Sequence, residues 1–263
     1  MSLSGNLDGK VALITGGSKG IGLGIANRFA RSGAKVFLVS RKAEGLEAAA
    51  AELAGAGAPP ENIAWSAGNV GKEEDAQRCV GEAIARFGAV DILVNNAATN
   101  PYAGPVIDVD VARWTKTEEV NLRGPLVWTQ AAWRSHMKEN GGSIINISSV
   151  GGFVTSDHLG VYDVFKCALM HLTRQLAWEL SPTVRVNCLA PGLIKTDFAK
   201  FLWEGSKGDQ IAKAYPLKRL GEPDDIGEAA LYFAAGASWV TGQTLALDGG
   251  GLILPGGSAS TIT

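Results

Sequence analysis

Lys10-Val11-Ala12-Leu13-Ile14-Thr15-Gly16-Gly17-Ser18-Lys19-Gly20-Ile21-Gly22 is an apolar run that opens into glycines and resumes with a helical period. The run over residues 10–15, rich in Val and Ile, reads as a buried strand. The apolar spacing over residues 21–31 reads as a helix. Glycine between them lets the backbone turn tightly and approach a ligand closely. The helix N-terminus then favours an anionic group such as a pyrophosphate. Gly16-x-x-x-Gly20-x-Gly22 departs from the usual G-x-G-x-x-G spacing. In a strand–turn–helix setting it still reads as a phosphate cradle made by Gly16, Ser18, Lys19, Gly20, Ile21 and Gly22.

The same alternation continues outward. Residues 35–40, 63–66, 90–95, 143–148, 184–189 and 244–247 predict further strands. Residues 43–54, 72–87, 111–138, 160–180 and 224–235 predict the helices between them. This rhythm implies a doubly wound, Rossmann-type parallel sheet of about seven strands, with helices on both faces. No linker divides the chain, so residues 1–263 are expected to form one dinucleotide-binding domain. Two excursions stand out: residues 197–215 and a glycine-rich tail, residues 249–263, whose Leu252-Ile253-Leu254 favours packing over fraying.

Composition excludes several classes. A formal charge of -2 offers no basic footprint for nucleic acid. Cys79, Cys167 and Cys188 have no paired spacing, which fits a reducing compartment. No apolar run reaches the roughly 18 residues a membrane span requires. Met1-Ser2-Leu3-Ser4-Gly5-Asn6 has no secretory pattern, and Thr261-Ile262-Thr263 is no peroxisomal address. A soluble cytoplasmic protein is expected.

Gly16-Gly17-Ser18-Lys19-Gly20 also matches the G-x-S-x-G elbow of hydrolases. Only one strand precedes Ser18, where a hydrolase needs several. Neither His136 nor His171 is tied to it by any motif, and His158 beside Ser156 and Asp157 is only a sequence neighbour. Hydrolysis is set aside.

Tyr162 and Lys166 lie one helical turn apart, roughly 5–6 Å at Cβ. A positive charge about 6 Å from a phenol, at an effective dielectric near 20, favours the phenolate by roughly 3 kcal/mol. That is about two pKa units. A tyrosine so tuned can exchange a proton with a carbonyl or alcohol oxygen. Asp163 stands about 100° around the helix and is expected not to oppose the phenolate.

Across roughly residues 8–250 the chain resembles the short-chain dehydrogenase/reductase family. The matching residues are 15–22, Asn95-Asn96-Ala97-Ala98, Asn121, Ser149, Tyr162-x-x-x-Lys166 and Pro191-Gly192. The resemblance implies Tyr162 as general acid in reduction and base in oxidation. It makes Lys166 a partner of both Tyr162 and the nicotinamide ribose. Ser149, rather than Ser148, would grip the substrate oxygen, and Asn121 would hold a proton-relaying water. It also assigns Asn69 and Val70 to the adenine, Asn95 and Ala97 to the adenosine ribose, and Pro191, Gly192, Ile194 and Thr196 to the nicotinamide. Phe165 stands where the family has a small residue that often faces a neighbour, possibly a subunit.

The second strand ends Val39-Ser40-Arg41-Lys42, without the carboxylate that an NAD ribose would meet. Arg41, with Lys19 reaching the same 2′-phosphate, favours NADP(H). Phe198, Phe201, Leu202 and Trp203 predict a lid with an apolar underside, and Tyr102, Phe153, Val154 and Leu159 further pocket walls. A ketone, aldehyde or secondary alcohol with a bulky apolar part is the expected substrate. Residues 186–196 and 219–223 resemble NADPH-dependent carbonyl reductases. The alternatives are a 3-oxoacyl-acyl-carrier-protein reductase, against which Lys138-Glu139-Asn140 offers a weak grip on an acidic carrier, and a non-catalytic NADP-binding sensor or scaffold. Cys167 and His171 read as an apolar or interface face rather than a metal site. Trp128, Trp133 and Trp178 read as packing residues. A homo-oligomer, tetramer or dimer, is expected by resemblance.

Overall fold

The computed structural model describes residues 6–254. Residues 255–263 of the expected tail lie outside them. Seven parallel strands form one sheet: β1 (Val11–Thr15), β2 (Lys35–Ser40), β3 (Ile63–Ala67), β4 (Ile92–Asn95), β5 (Gly142–Ile147), β6 (Val184–Pro191) and β7 (Thr244–Leu247). Their order is β3-β2-β1-β4-β5-β6-β7. The chain winds outward from β1 to β3, then restarts at β4 on the other side of β1. That reversal opens a crevice beyond the carboxyl ends of β1 and β4, where open α/β sheets bind ligands.

Burial explains the strand sequences. Every residue of β1 and β4 is buried, and the inner positions of β2 are too, so Val, Leu and Ile run without alternation. One face is covered by α1 (Gly20–Arg31) and α2 (Ala43–Gly55), where Ile25, Phe29 and Leu46 sit in one core. The other carries α3 (Glu73–Phe87), where Cys79 joins Trp128 and Leu176 in a second core.

The helix expected over residues 111–138 is three pieces. These are α4 (Val111–Glu118), α5 (Gly124–Ala132) and α6 (Lys138–Asn140), joined by π-helical turns at Glu119–Arg123 and Trp133–Met137. Apolar periodicity does not reveal an inserted residue, so the breaks escape the sequence pattern. The helix α7 (Gly160–Leu180) keeps its expected bounds. The excursion after β6 forms a short turn (Asp197–Ala199), α8 (Lys200–Trp203) and α9 (Ser206–Ala214). The last helix, α10 (Pro223–Leu231), packs on α1 and ends in a third π turn, Tyr232–Gly236. Of the tail, Leu254 packs on Ile211, Tyr215 and Leu220 beneath the excursion, while Ile253 is exposed.

Two packing expectations are corrected. Trp178 is 82% exposed, because it stands on the outward face of α7 with Val164 and Cys167, whereas Trp128 is wholly buried. Phe165 turns inward, its ring 4.9 Å from that of Trp114, so the chain itself covers it.

Candidate active site

The cradle is set by backbone geometry. Gly16 has φ 65°, in the left-handed region that favours glycine. A Cβ on Gly22 would lie 2.5 Å from Asn96 Nδ2, so no larger residue fits the turn. Asn96 holds that turn, donating from Nδ2 to Thr15 O (2.9 Å) and Gly16 O (3.2 Å). Ser18 donates to Ser40 Oγ (3.0 Å), tying the turn to the end of β2. The helix α1 starts at Gly20 with Ile21 behind it and has no acidic residue in its first turn, so its N-terminus suits an anion. The cradle fits a pyrophosphate.

The adenosine side is only partly as expected. Arg41 is exposed at the end of β2 and makes no ion pair among the described residues. Lys19 does not join it: its ammonium pairs with Asp197 Oδ2 at 3.2 Å, at the start of the excursion. Asn69 spends Oδ1 on Gly71 N (3.1 Å), a local turn that leaves only its Nδ2 to serve a base. Val70 is buried in the core beside Trp128, whose indole donates to Val70 O. Asn95 does not present its side chain to the crevice. Strand alternation turns it inward, where Nδ2 donates to Asn146 Oδ1 at 2.9 Å. Its neighbour Asn96 faces the cradle instead. Ala97 follows on, its amide donating to Thr15 Oγ1.

Across the crevice, β6 ends at Pro191 and Gly192 donates to Leu247 O. Ile194 is buried, bridging to Gly221. Thr196 lies over the cradle: a Cβ on Gly20 would come 3.2 Å from its Cγ2. The segment expected at a nicotinamide thus meets the glycine turn.

The quartet gathers at the carboxyl end of β5. Lys166 is 2% exposed, and its Nζ donates to Ile147 O at 2.7 Å. That Nζ lies 5.4 Å from the Tyr162 ring centroid. Ser148 is committed elsewhere, donating to Lys166 O at 2.7 Å. Ser149 accepts from Gly151 N at 3.1 Å and faces the Tyr162 phenol. Asn121 is wholly buried in the first π turn, which packs on α7. Both ends of its amide are taken, Oδ1 by Thr99 N and Nδ2 by Thr99 O, each at 2.8 Å. Its side chain therefore splices the β4 loop to the turn, with one N–H and one lone pair of the amide beyond those two bonds.

Electrostatics reverse one expectation. Burial pushes the Tyr162 phenol above its usual range, against a lowering by the Ser149 hydroxyl, and the Asp163 charge raises it further. Burial also lowers Lys166 to about 8, so its charge is held only below that pH. Helical spacing does not reveal that both groups are buried, and Asp163, expected from its angle to stand aside, adds its charge against the phenolate.

The walls are aromatic. Phe198 lies 6.3 Å from the Tyr162 ring, and Trp203 donates to Thr196 O at 3.0 Å. Phe153 is 46% exposed, Val154 and Leu159 are half-buried, and Tyr102 donates to Pro105 O. Lys138-Glu139-Asn140 sits before β5, at the far end of the sheet. Six strand residues span about 20 Å, so that stretch says nothing about a carrier held at Ser149. Cys167 and His171 are both exposed, and no cluster of three metal-ligating side chains occurs among the described residues. No helix among them is long and apolar enough to cross a membrane.

Residues 16–251 match the family model described as "Enoyl-(Acyl carrier protein) reductase". The human protein "Dehydrogenase/reductase SDR family member 4" is 41% identical over 247 residues, 93% of this chain and 88% of that protein. Human "Dehydrogenase/reductase SDR family member 2, mitochondrial" is 39% identical over 249 residues, 93% of this chain and 87% of that protein. A blue fluorescent protein from a metagenomic library, solved in complex with NADPH, superposes with a TM-score of 0.83 at 33% identity, covering 93% of this chain and 98% of that one.

Proposed function

We propose, from the premise that the chain belongs to the short-chain dehydrogenase/reductase family, that it uses NADP(H) to interconvert a bulky apolar ketone or aldehyde with its alcohol. Membership by itself makes it an oxidoreductase acting on CH–OH and C=O groups. The observation that carries the finer reading is the meeting of Tyr162, Ser149 and Lys166 beneath Phe198, across from Thr196 and the cradle.

When bound, the nicotinamide supplies or accepts the hydride. The rest falls to this chain. In reduction Tyr162 gives its proton to the carbonyl oxygen, and in oxidation it takes one from the alcohol. The Ser149 hydroxyl holds that oxygen as charge develops on it. Lys166, held on Ile147 O, keeps a positive charge near the phenol below about pH 8. The π turn places Asn121 next to α7, which supports the reading that its main chain holds a relaying water. Arg41 carries the 2′-phosphate preference, supported by the metagenomic relative's NADPH and by the lack of a carboxylate at Ser40-Arg41-Lys42. Lys19 adds to it once released from Asp197.

Oxidation of NADPH followed at 340 nm with a ketone panel tests this. We expect turnover of bulky apolar ketones, and a loss of about 10²–10⁴ in kcat for Tyr162→Phe. An inert wild type fits a sensor or scaffold instead. The second reading, a 3-oxoacyl-acyl-carrier-protein reductase, draws on the carrier-protein description of the matching model. It is preferred if acetoacetyl carrier protein outruns every simple diketone. Exposed Val111, Val164 and Trp178 support a homo-oligomer, dimer or tetramer, and three free cysteines support the cytoplasm.

A further inference from the structure

The loop from β5 to α7 carries Ser149 at its start and the apolar walls Phe153, Val154 and Leu159 beyond it. Those walls are exposed or half-buried, so their own packing holds the loop weakly. Gly152 packs on Met170, and Gly104 N donates to His158 O; among the described residues the one side chain that adds a polar tie from α7 is Asp163, one residue past Tyr162 and 7% exposed. Its carboxylate accepts from the Ser156 hydroxyl. It also packs so closely on Gly151 that no Cβ fits there. One side chain thus touches the loop near both ends.

The charge state matters to this clasp. The Ser156 hydroxyl donates to Asp163, and an ionised carboxylate is acceptor-only, so it receives that donor as a charge-assisted bond. An amide or a protonated acid is neutral and brings donors of its own into the same contact. Among the described residues no cation pairs with Asp163. From α4, Arg113 pairs with Asp110 and Lys116 with Glu119. From the loop, Asp157 and His158 make no ion pair with it among the described residues. On its own helix it follows Tyr162, whose phenol it opposes; Lys166 and Cys167 stand one turn further on, and the Lys166 ammonium is bonded to Ile147 O rather than paired with it. An unpaired carboxylate buried next to a proton donor is expensive. Loop packing alone would not call for a charge there.

We propose that Asp163 is a positioning residue: its carboxylate clasps the loop from Ser149 to Ser156 onto the helix of Tyr162, and so sets how tightly the carbonyl substrate is held before that phenol. The inference rests on the reading of Tyr162 as proton donor. Burial raises the Asp163 carboxyl from 3.8 to about 6. The clasp is therefore charged well above pH 6 and weakens as pH falls through about 6.

The test uses the full chain with NADPH and the best ketone of the panel, comparing wild type, Asp163→Asn, Ser156→Ala and the double variant. Each single variant should raise the ketone KM about tenfold, as for loss of one hydrogen bond to a charged group. kcat should stay within about twofold. The double variant should be no worse than either single one. Wild-type ketone KM should climb as pH falls from 7 to 5, while that of Asp163→Asn stays flat. In the protein alone, amide exchange over residues 151–156 should speed up in Asp163→Asn. An active wild type whose KM and amide exchange are unmoved by Asp163→Asn overturns the inference alone. So do additive effects of the two changes, or a pH trend that survives in Asp163→Asn. A wild type inert towards every ketone, or a fully active Tyr162→Phe, overturns the reading of the site and the inference with it.

Discussion

The two sides of the crevice are built on opposite plans. On the cofactor side the ligand surface is main chain, fixed by glycines that nothing larger can replace and by the Asn96 amide. On the substrate side it is side chain, and Phe153, Phe198 and Phe201 are 46%, 51% and 64% exposed on a loop and short helical turns. A part of the ligand common to many enzymes is met by rigid backbone. The variable part is met by aromatic groups on segments held at a few points. Substitutions on the first side should therefore act steeply and alike for all substrates, and on the second side mildly and selectively.

Gly22→Ala should break the contrast most severely. Its Cβ would collide with Asn96 Nδ2 at 2.5 Å, so either the clamp or the turn must move. NADPH binding by fluorescence titration should weaken at least about 100-fold, since overpacking costs about 1–3 kcal/mol and displaces the phosphate donors as well. Next comes pH. Alcohol oxidation needs the phenolate, whose fraction grows tenfold per unit below its pKa. Burial raises that pKa, and Lys166 keeps its charge below about 8. Log kcat/KM for oxidation should thus climb with slope near one from pH 6 to 8, and less steeply once Lys166 loses its proton. Reduction should stay nearly flat from pH 7 to 8.

Arg41→Ala should cut the NADPH over NADH preference about 10- to 30-fold, the worth of a hydrogen bond to a charged group. Lys19→Ala should cost less, because that ammonium must first leave Asp197. The mildest change is Phe198→Ala. Removing the ring 6.3 Å from Tyr162 should raise KM about three- to tenfold for bulky ketones and leave acetone-sized ones unchanged, because a half-exposed ring supplies only the low end, about 1 kcal/mol, of what apolar pocket contacts discriminate. An equal effect on all ketones would remove the distinction between the two sides.

How much of this could be read from the chain follows the same division. Apolar runs gave the strands because both sheet faces are covered, and the glycine turn after β1 located the crevice. Tyr162, Lys166 and Ser149 fell where a four-residue helical step and the end of β5 bring them together. What stayed hidden depends on orientation or on distant partners. Asn95 and Asn96 look alike until alternation sends one inward. Lys19 and Asp197 are 178 residues apart, and no local pattern pairs them. Asp163 was judged by its angle from Tyr162, but its burial comes from a loop that folds back over it. Asn121 was legible as a site residue, though not that Thr99 would occupy its amide.

The π turn at Glu119–Arg123 has a consequence for how this chain tolerates length changes. Such a turn is one residue longer than an α-helical path through the same place. Deleting one of its five residues would let the same path close as regular α-helix, with α4 and α5 keeping their faces and only the residues of the turn re-aimed. Asn121 would swing off Thr99, while Trp114 would stay against Phe165 on the helix of Tyr162. A one-residue deletion here should therefore spare the fold and cost the site, whereas one near Ala54-Gly55-Ala56-Gly57 should cost neither.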